Sequence, residues 1–325
     1  MSEKRSQSAA SSFVFKLLES FGNQGISFVV SLVLGRLLTP DDYGVLSLLL
    51  VFTAIAQVFV QSGLNTALIQ RAEIDETDRS SVFFLGLAIA ALLYTALFFA
   101  APAIERYFAM VGLASYLRVL ALILFPGALT SVQNAVIARE MSFRKLMTAS
   151  LAATVLSGGV GITMALKGLG VWALVGQQLT NQFSLCLLLL VLVRWHPHFC
   201  FSFRRVRSLF SFGWKLLLSS LMDTGYQHLR SFVIGKKFSS EALGYFNRGK
   251  QFPELLMNAV NGSIQSVMLP VLSEQQDDLE RMKQTMRRSI MASSFLVLPL
   301  MAGLAAVARP LVSLLLTDKW LPCVP

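Results

Sequence analysis

The run "LGVWALVGQQLTNQFSLCLLLLVLV", residues 169–193, is 25 residues long and carries no charged side chain. A helix needs about 20 predominantly apolar residues to cross the hydrocarbon core of a bilayer. Inside that core only helices and closed barrels satisfy their own backbone hydrogen bonds. Barrel strands alternate polar and apolar positions, and this run does not. Val82–Ala101, Leu146–Leu166 and Leu255–Ser273 are further charge-free runs of 20, 21 and 19 residues. The whole chain of 325 residues is 54% hydrophobic and only 14% charged, against roughly 25% charged in soluble domains. The sequence therefore reads as an all-α membrane protein, a polytopic helical bundle.

About nine spans are expected, near Phe13–Leu38, Tyr43–Gln70, Ser80–Ala103, Leu113–Ala138, Leu146–Leu166, Gly170–Val193, Leu209–Ile234, Ala242–Leu272 and Ser289–Val307. Their connections are short, and none has room for a soluble catalytic domain. With the N-terminus inside, 17 of the 28 Lys and Arg residues fall in cytoplasmic segments. That bias is the usual mark of the cytoplasmic side. It also accounts for the net charge of +10 without a nucleic-acid partner. Cys186, Cys200 and Cys323 make no disulfide framework. The polar start "MSEKRSQSAASS" leads to no small-residue cleavage site after a short apolar core, so no removed signal peptide is expected.

Two corners of the sequence look alike. "LGRLLTPDDYG" occupies residues 34–44 and "IGKKFSSEALG" occupies residues 234–244. In the first, Thr39 is placed to cap a helix, Pro40 fits its first position, and Asp41 and Asp42 suit the positive end of its dipole. In the second, Ser239 or Ser240 caps and Glu241 lies near the start. Each motif reads as a hairpin corner following the first span of a group. Two lobes of like design follow: residues 1–203 form a six-helix lobe, and residues 204–325 hold three helices of a second, incomplete lobe. The chain is thus expected to be truncated in its second half.

These corners, with "SGLNTALIQR" (62–71), "FRKL" (143–146), "GLGVWALVGQQL" (168–179), "ALGYFNRGKQF" (242–252) and "PLMAGLAAVARPLVSLLLTDKWLPCVP" (299–325), carry a resemblance. The sequence resembles the lipopolysaccharide biosynthesis and teichuronic-acid exporter group. That group lies in the polysaccharide transporter family of the multidrug/oligosaccharidyl-lipid/polysaccharide superfamily. The resemblance implies two six-helix lobes around a central cavity. It also implies flipping of undecaprenyl-diphosphate-linked sugar units to the outer leaflet by alternating access. The partners so implied are a lipid-linked oligosaccharide, membrane lipids and a coupling ion, sodium or proton.

Polar residues inside spans are costly and tend to face a bundle interior or a cavity. Asn247, Gln251, Glu254, Asn258, Asn261 and Gln265 are spaced 4, 3, 4, 3 and 4 apart, which is one face of a helix. Interhelical hydrogen bonding explains one or two such residues; six on one stripe fit a wet cavity better. Thr53, Gln57, Gln61 and Asn65 form a shorter stripe, for which simple packing serves almost as well. Glu19 and Asn23 share a face of the first span. Asp223, Gln227 and Arg230 share one on the seventh, where a pairing of Asp223 with Arg230 through Gln227 is the plainer reading. A diphosphate needs cations, and Arg230, Arg248 and Lys250 sit at the outer ends of the seventh and eighth spans. Each of them alone is equally well a solvated interfacial charge.

"RWHPHFC", residues 194–200, alternates His196, His198 and Cys200 but offers no fourth ligand, and Trp195 there reads as an interfacial anchor. No metal and no cofactor is expected. No Walker loop, nucleophile elbow or kinase signature occurs, so the chain is not read as an enzyme. The leading expectation is an inner-membrane exporter of lipid-linked oligosaccharide with its N-terminus in the cytoplasm. The alternatives are an ion-coupled multidrug exporter of the same superfamily and a membrane enzyme of polysaccharide assembly. The topology has a direct test: reporter fusions at Arg204 and at Gly168 should give opposite signals, and the same signal from both would sink the arrangement.

Overall fold

The structure is a computed structural model, and it describes residues 2–61, 65, 68–69, 74–193, 195, 197–274 and 278–324. The described residues form ten α-helices and no strand. In chain order they are α1 (Ser2–Leu37), α2 (Pro40–Gln61), α3 (Glu76–Phe108), α4 (Leu113–Leu120), α5 (Leu124–Glu140), α6 (Phe143–Leu166), α7 (Val171–Val193), α8 (Phe203–Lys237), α9 (Ser240–Glu274) and α10 (Leu279–Leu315). A single 3-10 turn, Ala121–Ile123, joins α4 to α5, and a second, Asp318–Cys323, follows α10.

Among the described residues six segments are long and apolar enough to cross a membrane: α2, α3, the α4–α5 pair, α6, α7 and most of α10. The other three expected spans fall on α1, α8 and α9, which are 36, 35 and 35 residues long. At about 1.5 Å per residue each is long enough to span. They carry polar and charged residues, among them Glu19 and Asn23, Asp223 and Arg230, and Asn247 and Lys250. The protein is a multi-pass helical membrane protein. Among the described residues six spans meet both length and apolarity, and α1, α8 and α9 are three further long helices.

The chain divides into two compact units, Met1–Leu243 and Gly244–Pro325. In the larger unit α6 and α7 form an antiparallel hairpin. Its turn places Gly168 and Gly170 at φ 73° and 53°, a region that residues with a β-carbon rarely enter. Helix α1 packs along α6, α5 touches α3, α7 and α2, and α8 lies against α2. Leu34, Leu48, Leu49, Leu117, Leu120 and Leu174 are buried in one continuous core. Helix α8, which the sequence places at the head of the second lobe, is thus part of the larger unit.

The segment between α7 and α8 is strapped to the start of α3. The Trp195 indole N–H donates to Glu76 Oε2 at 2.9 Å. The backbone N–H groups of His198 and Ser202 donate to Ser80 Oγ and Ser81 Oγ at 3.1 and 3.0 Å. Arg205 then pairs with Asp75 at 2.7 Å and with Asp78 at 3.3 Å. Trp195 is 6% exposed and packs with Leu68, Val82 and Val132. It is a core residue, because its N–H finds a carboxylate there; the expected interfacial anchor is corrected. His196 lies outside the described residues.

The two look-alike corners have the same helix boundaries 200 positions apart: helices end at Leu37 and Lys237 and begin again at Pro40 and Ser240. Thr39 caps α2 reciprocally with Asp42, its N–H donating to Asp42 Oδ2 at 2.9 Å while its hydroxyl accepts from the Asp42 N–H at 3.3 Å. Ser239 Oγ accepts from the Ala242 N–H at 3.1 Å. The corners also touch each other. A β-carbon on Gly44 would stand 1.7 Å from the Ser240 carbonyl oxygen, so the backbones of α2 and α9 meet with no side chain between them. Ser240 Oγ donates to Asp41 Oδ1 across the same contact.

In the smaller unit, Trp320 of the final 3-10 turn is fully buried. Tyr245 meets its ring edge-on at 6.1 Å, and the Arg248 guanidinium lies 5.6 Å from its centroid. An apolar crevice of about 230 Å³ runs between Phe252, Pro253, Met301, Leu304 and Ala308.

Forcing a side chain into a filled interface costs about 1–3 kcal/mol. Gly44→Ala should therefore lower the melting temperature of the detergent-solubilised protein by several degrees. Gly25→Ala, where a β-carbon meets nothing within 4 Å, should leave it unchanged or raise it slightly. Equal melting temperatures for the two variants would refute the close contact.

Candidate functional site

Helices α2 and α8 diverge beyond their corner and flank an open cavity of about 390 Å³. On α2 the spacing of four places Thr53, Gln57 and Gln61 on the cavity face. On α8 Thr224, Gln227 and His228 look in from the other side. The two α2 amides are ordered before any ligand arrives: Gln61 Nε2 donates to Gln57 Oε1. They are also supported from behind, because Gly127 of α5 leaves them room; a β-carbon there would stand 3.0 Å from Gln61 Nε2 and 3.4 Å from Gln57 Oε1. The Thr53 hydroxyl turns back to the Leu49 carbonyl at 3.1 Å. Gln227 Nε2 donates to Asp223 Oδ2 at 2.9 Å, so its carbonyl oxygen remains an acceptor. Leu50, Ala54, Val58 and Ile123 complete the lining, and the described residues around this space include no carboxylate, no lysine or arginine and no phenylalanine, tyrosine or tryptophan.

The other residues singled out in the sequence are placed as follows. Asp223 is exposed, one helical turn from Gln227, and Arg230 is exposed further along α8. Glu19 and Asn23 sit between α1 and α6. Asn23 Nδ2 donates to Ser150 Oγ at 3.0 Å and reaches Glu19 Oε1 at 3.5 Å, while Thr154 Oγ1 donates to Asn23 Oδ1 at 2.9 Å. In the smaller unit Arg248 is 4% exposed and donates to Gln251 Oε1 at 2.8 Å. Lys250 pairs with Glu254 at 2.8 Å. Asn247 is half-buried and Asn258 exposed; the side chains of Asn261 and Gln265 lie outside what is described. The structure therefore unites Gln57 and Gln61 with the α8 residues around Gln227. It gives Arg248 and Lys250 partners on their own helix.

Sequence reading missed Thr224, His228 and Gly127. The first two had a signal: they are four apart, on the α8 face adjoining Asp223 and Gln227. Gly127 had none, since its role depends on two amides 66 and 70 positions earlier.

Comparison with known proteins agrees with this architecture. The chain is 25% identical to the succinoglycan biosynthesis transport protein ExoT of Rhizobium meliloti over 306 residues, 94% of this chain and 62% of that protein. It is 24% identical to the teichuronic acid biosynthesis protein TuaB of Bacillus subtilis, covering 92% of this chain and 62% of the relative. It is 22% identical to the lipopolysaccharide biosynthesis protein WzxC of Escherichia coli, with 93% and 62% covered. The chain thus spans about three-fifths of the length of these relatives. In fold it is similar to an inward-facing multidrug resistance MATE family transporter of the MOP superfamily, with a TM-score of 0.63 and 17% identity over 92% of this chain and 75% of that one. The family model for polysaccharide biosynthesis proteins matches residues 33–325, nearly the whole chain, and the chain belongs to that family.

Proposed function

We propose that this protein works in an exporter that carries undecaprenyl-diphosphate-linked oligosaccharide across the inner membrane by alternating access, for cell-surface polysaccharide synthesis. Its N-terminus is cytoplasmic in this reading, and the transport halves are residues 1–203 and 204–325. The observation that carries it is the pairing of a close backbone contact, between α2 and the α8–α9 corner, with a polar cavity between α2 and α8. Gly44 and Ser240 close backbone on backbone. The cavity at Gln57 and Gln61 lies about 20 Å further along α2 at 1.5 Å per residue. With the α1–α2 corner on the outer face, this arrangement suits a carrier closed to the outside. The names of the relatives, a succinoglycan transport protein among them, support polysaccharide precursors as the cargo.

Such a carrier needs no hydrolytic site; its work comes from a gradient. We assign the coupling ion, sodium or proton, to Glu19, which is reached by the Asn23 amide, itself held by the Ser150 and Thr154 hydroxyls. Arg230, Arg248, Lys250, Asp223, Asn247, Gln251, Glu254, Asn258 and Asn261 remain proposed contributors to the substrate path.

The gene's loss tests the reading. In its host, in a strain without other exporters of this kind, deletion should abolish surface polysaccharide. Lipid-linked precursor should then accumulate on the cytoplasmic leaflet, where a sugar-modifying reagent confined to the outside does not reach it. Undiminished labelling from outside would refute the proposal.

A further inference from the structure

We infer that the cavity between α2 and α8 is a glycan subsite: it takes an uncharged sugar ring of the substrate and leaves the diphosphate outside. This rests on the exporter reading above and adds which part of the cargo goes where.

The argument is one of matching groups. A sugar ring presents hydroxyls, each a donor and an acceptor. A glutamine amide offers both roles from one planar group, and a neutral imidazole offers one of each. Gln57, Gln61, Gln227 and His228 therefore supply donors and acceptors in mixed order around the space. A diphosphate is acceptor-only and multiply charged, and proteins hold it with arginine forks, lysines or helix N-termini. None of the described lining residues is arginine or lysine, and the cavity lies in the interior of α2 and α8 rather than at their N-termini. Six of the ten described lining residues are polar and none is phenylalanine, tyrosine or tryptophan, whereas pockets for amphiphilic drugs are lined mainly by apolar and aromatic side chains; the aliphatic Leu50, Ala54, Val58 and Ile123 suit the apolar C–H face of a sugar ring. The volume of about 390 Å³ lies in the usual range of small-ligand sites, roughly 300–1,000 Å³.

Two details sharpen the assignment. The Gln57–Gln61 pair is held by its own hydrogen bond over Gly127, so little ordering is left for the ligand to bring about. Gln227 has its amide nitrogen engaged by Asp223, which directs its remaining carbonyl toward a hydroxyl donor. His228 is the one titratable side chain among the described lining residues. The lack of a stacking ring keeps the affinity low, as suits a site that must release its cargo.

The test uses the purified protein in lipid nanodiscs and two probes prepared from the host's own precursor: the neutral glycan released by mild acid, and sugar-free undecaprenyl diphosphate. Binding of each is measured by calorimetry for the parent protein, for Gln227→Leu, whose side chain is exposed and tolerant of change, and for Gln61→Leu. Losing one buried-site hydrogen bond should weaken glycan binding about tenfold in each variant and leave undecaprenyl diphosphate binding unchanged. If the diphosphate probe weakens instead, the cavity is a phosphate site and the inference falls. If the released glycan does not bind the parent protein, it falls as well. Neither result touches the exporter reading, which stands or falls on outer-leaflet labelling in the deletion strain. A circular dichroism spectrum identical to the parent's separates lost contacts from lost fold for both variants.

Discussion

The Ser240 carbonyl oxygen occupies the place where a β-carbon of residue 44 would be. In a bilayer, helices gain little by hiding apolar side chains from one another, since lipid tails are equally apolar. Association comes from close packing and from hydrogen bonds between helices. A backbone-to-backbone contact supplies the first, and the Ser240–Asp41 hydrogen bond supplies the second. Two helix N-termini, those of α2 and α9, converge there with their positive dipole ends. Asp41, Asp42 and Glu241 lie in the first turns and offset that repulsion. From this point α8 is committed to run beside α2. Phe232 fills the next layer, edge-on to Phe52 at 6.4 Å and to Phe108 at 5.3 Å. Only beyond that layer do the helices part to leave the polar cavity.

Much of this was legible because it is local. The spans follow from apolar runs. The corners follow from Thr39, Pro40 and the acidic first turn, and the matching boundaries at 40 and 240 follow from two short motifs in the same register. The α2 stripe was legible because spacing of four maps to one face whatever the neighbours are. Other features depend on partners far away in the chain. Trp195 reads as an interfacial anchor until Glu76 accepts its N–H across 119 positions. The role of α8 was less legible: the look-alike corners lead one to expect it at the head of a second lobe, and its packing with the larger unit depends on residues far away in the chain. Composition alone also leaves α8 undecided, because a long amphipathic helix obeys the length rule for a span and fails the apolarity rule.

Charge is the point on which sequence and structure place different weights. Cations near span ends suggest an anionic path, but sequence does not show what each cation touches. Arg248 spends its charge on Gln251 and the Trp320 ring, and Lys250 spends its charge on Glu254. Within the larger unit the open space is lined by amides, hydroxyls and one imidazole together with the aliphatic Leu50, Ala54, Val58 and Ile123.

That difference has a mechanical consequence. A charged group moved through a low-dielectric interior meets large energies over short distances, so a site that holds a diphosphate tightly also resists giving it up. A neutral hydrogen-bonding site avoids this. Each amide that lets go of a sugar hydroxyl is met by water of equal bonding capacity, and the net change per bond is small. If the glycan is gripped in the cavity and the diphosphate stays near the wetter rim, the barrier to release is divided between them. The charged part need never be fully stripped of water, and the neutral part need never be held by more than a few weak bonds. A seal of bare backbone at Gly44 suits the same economy. In the proposed exporter such a contact would close by shape and open without breaking an ion pair.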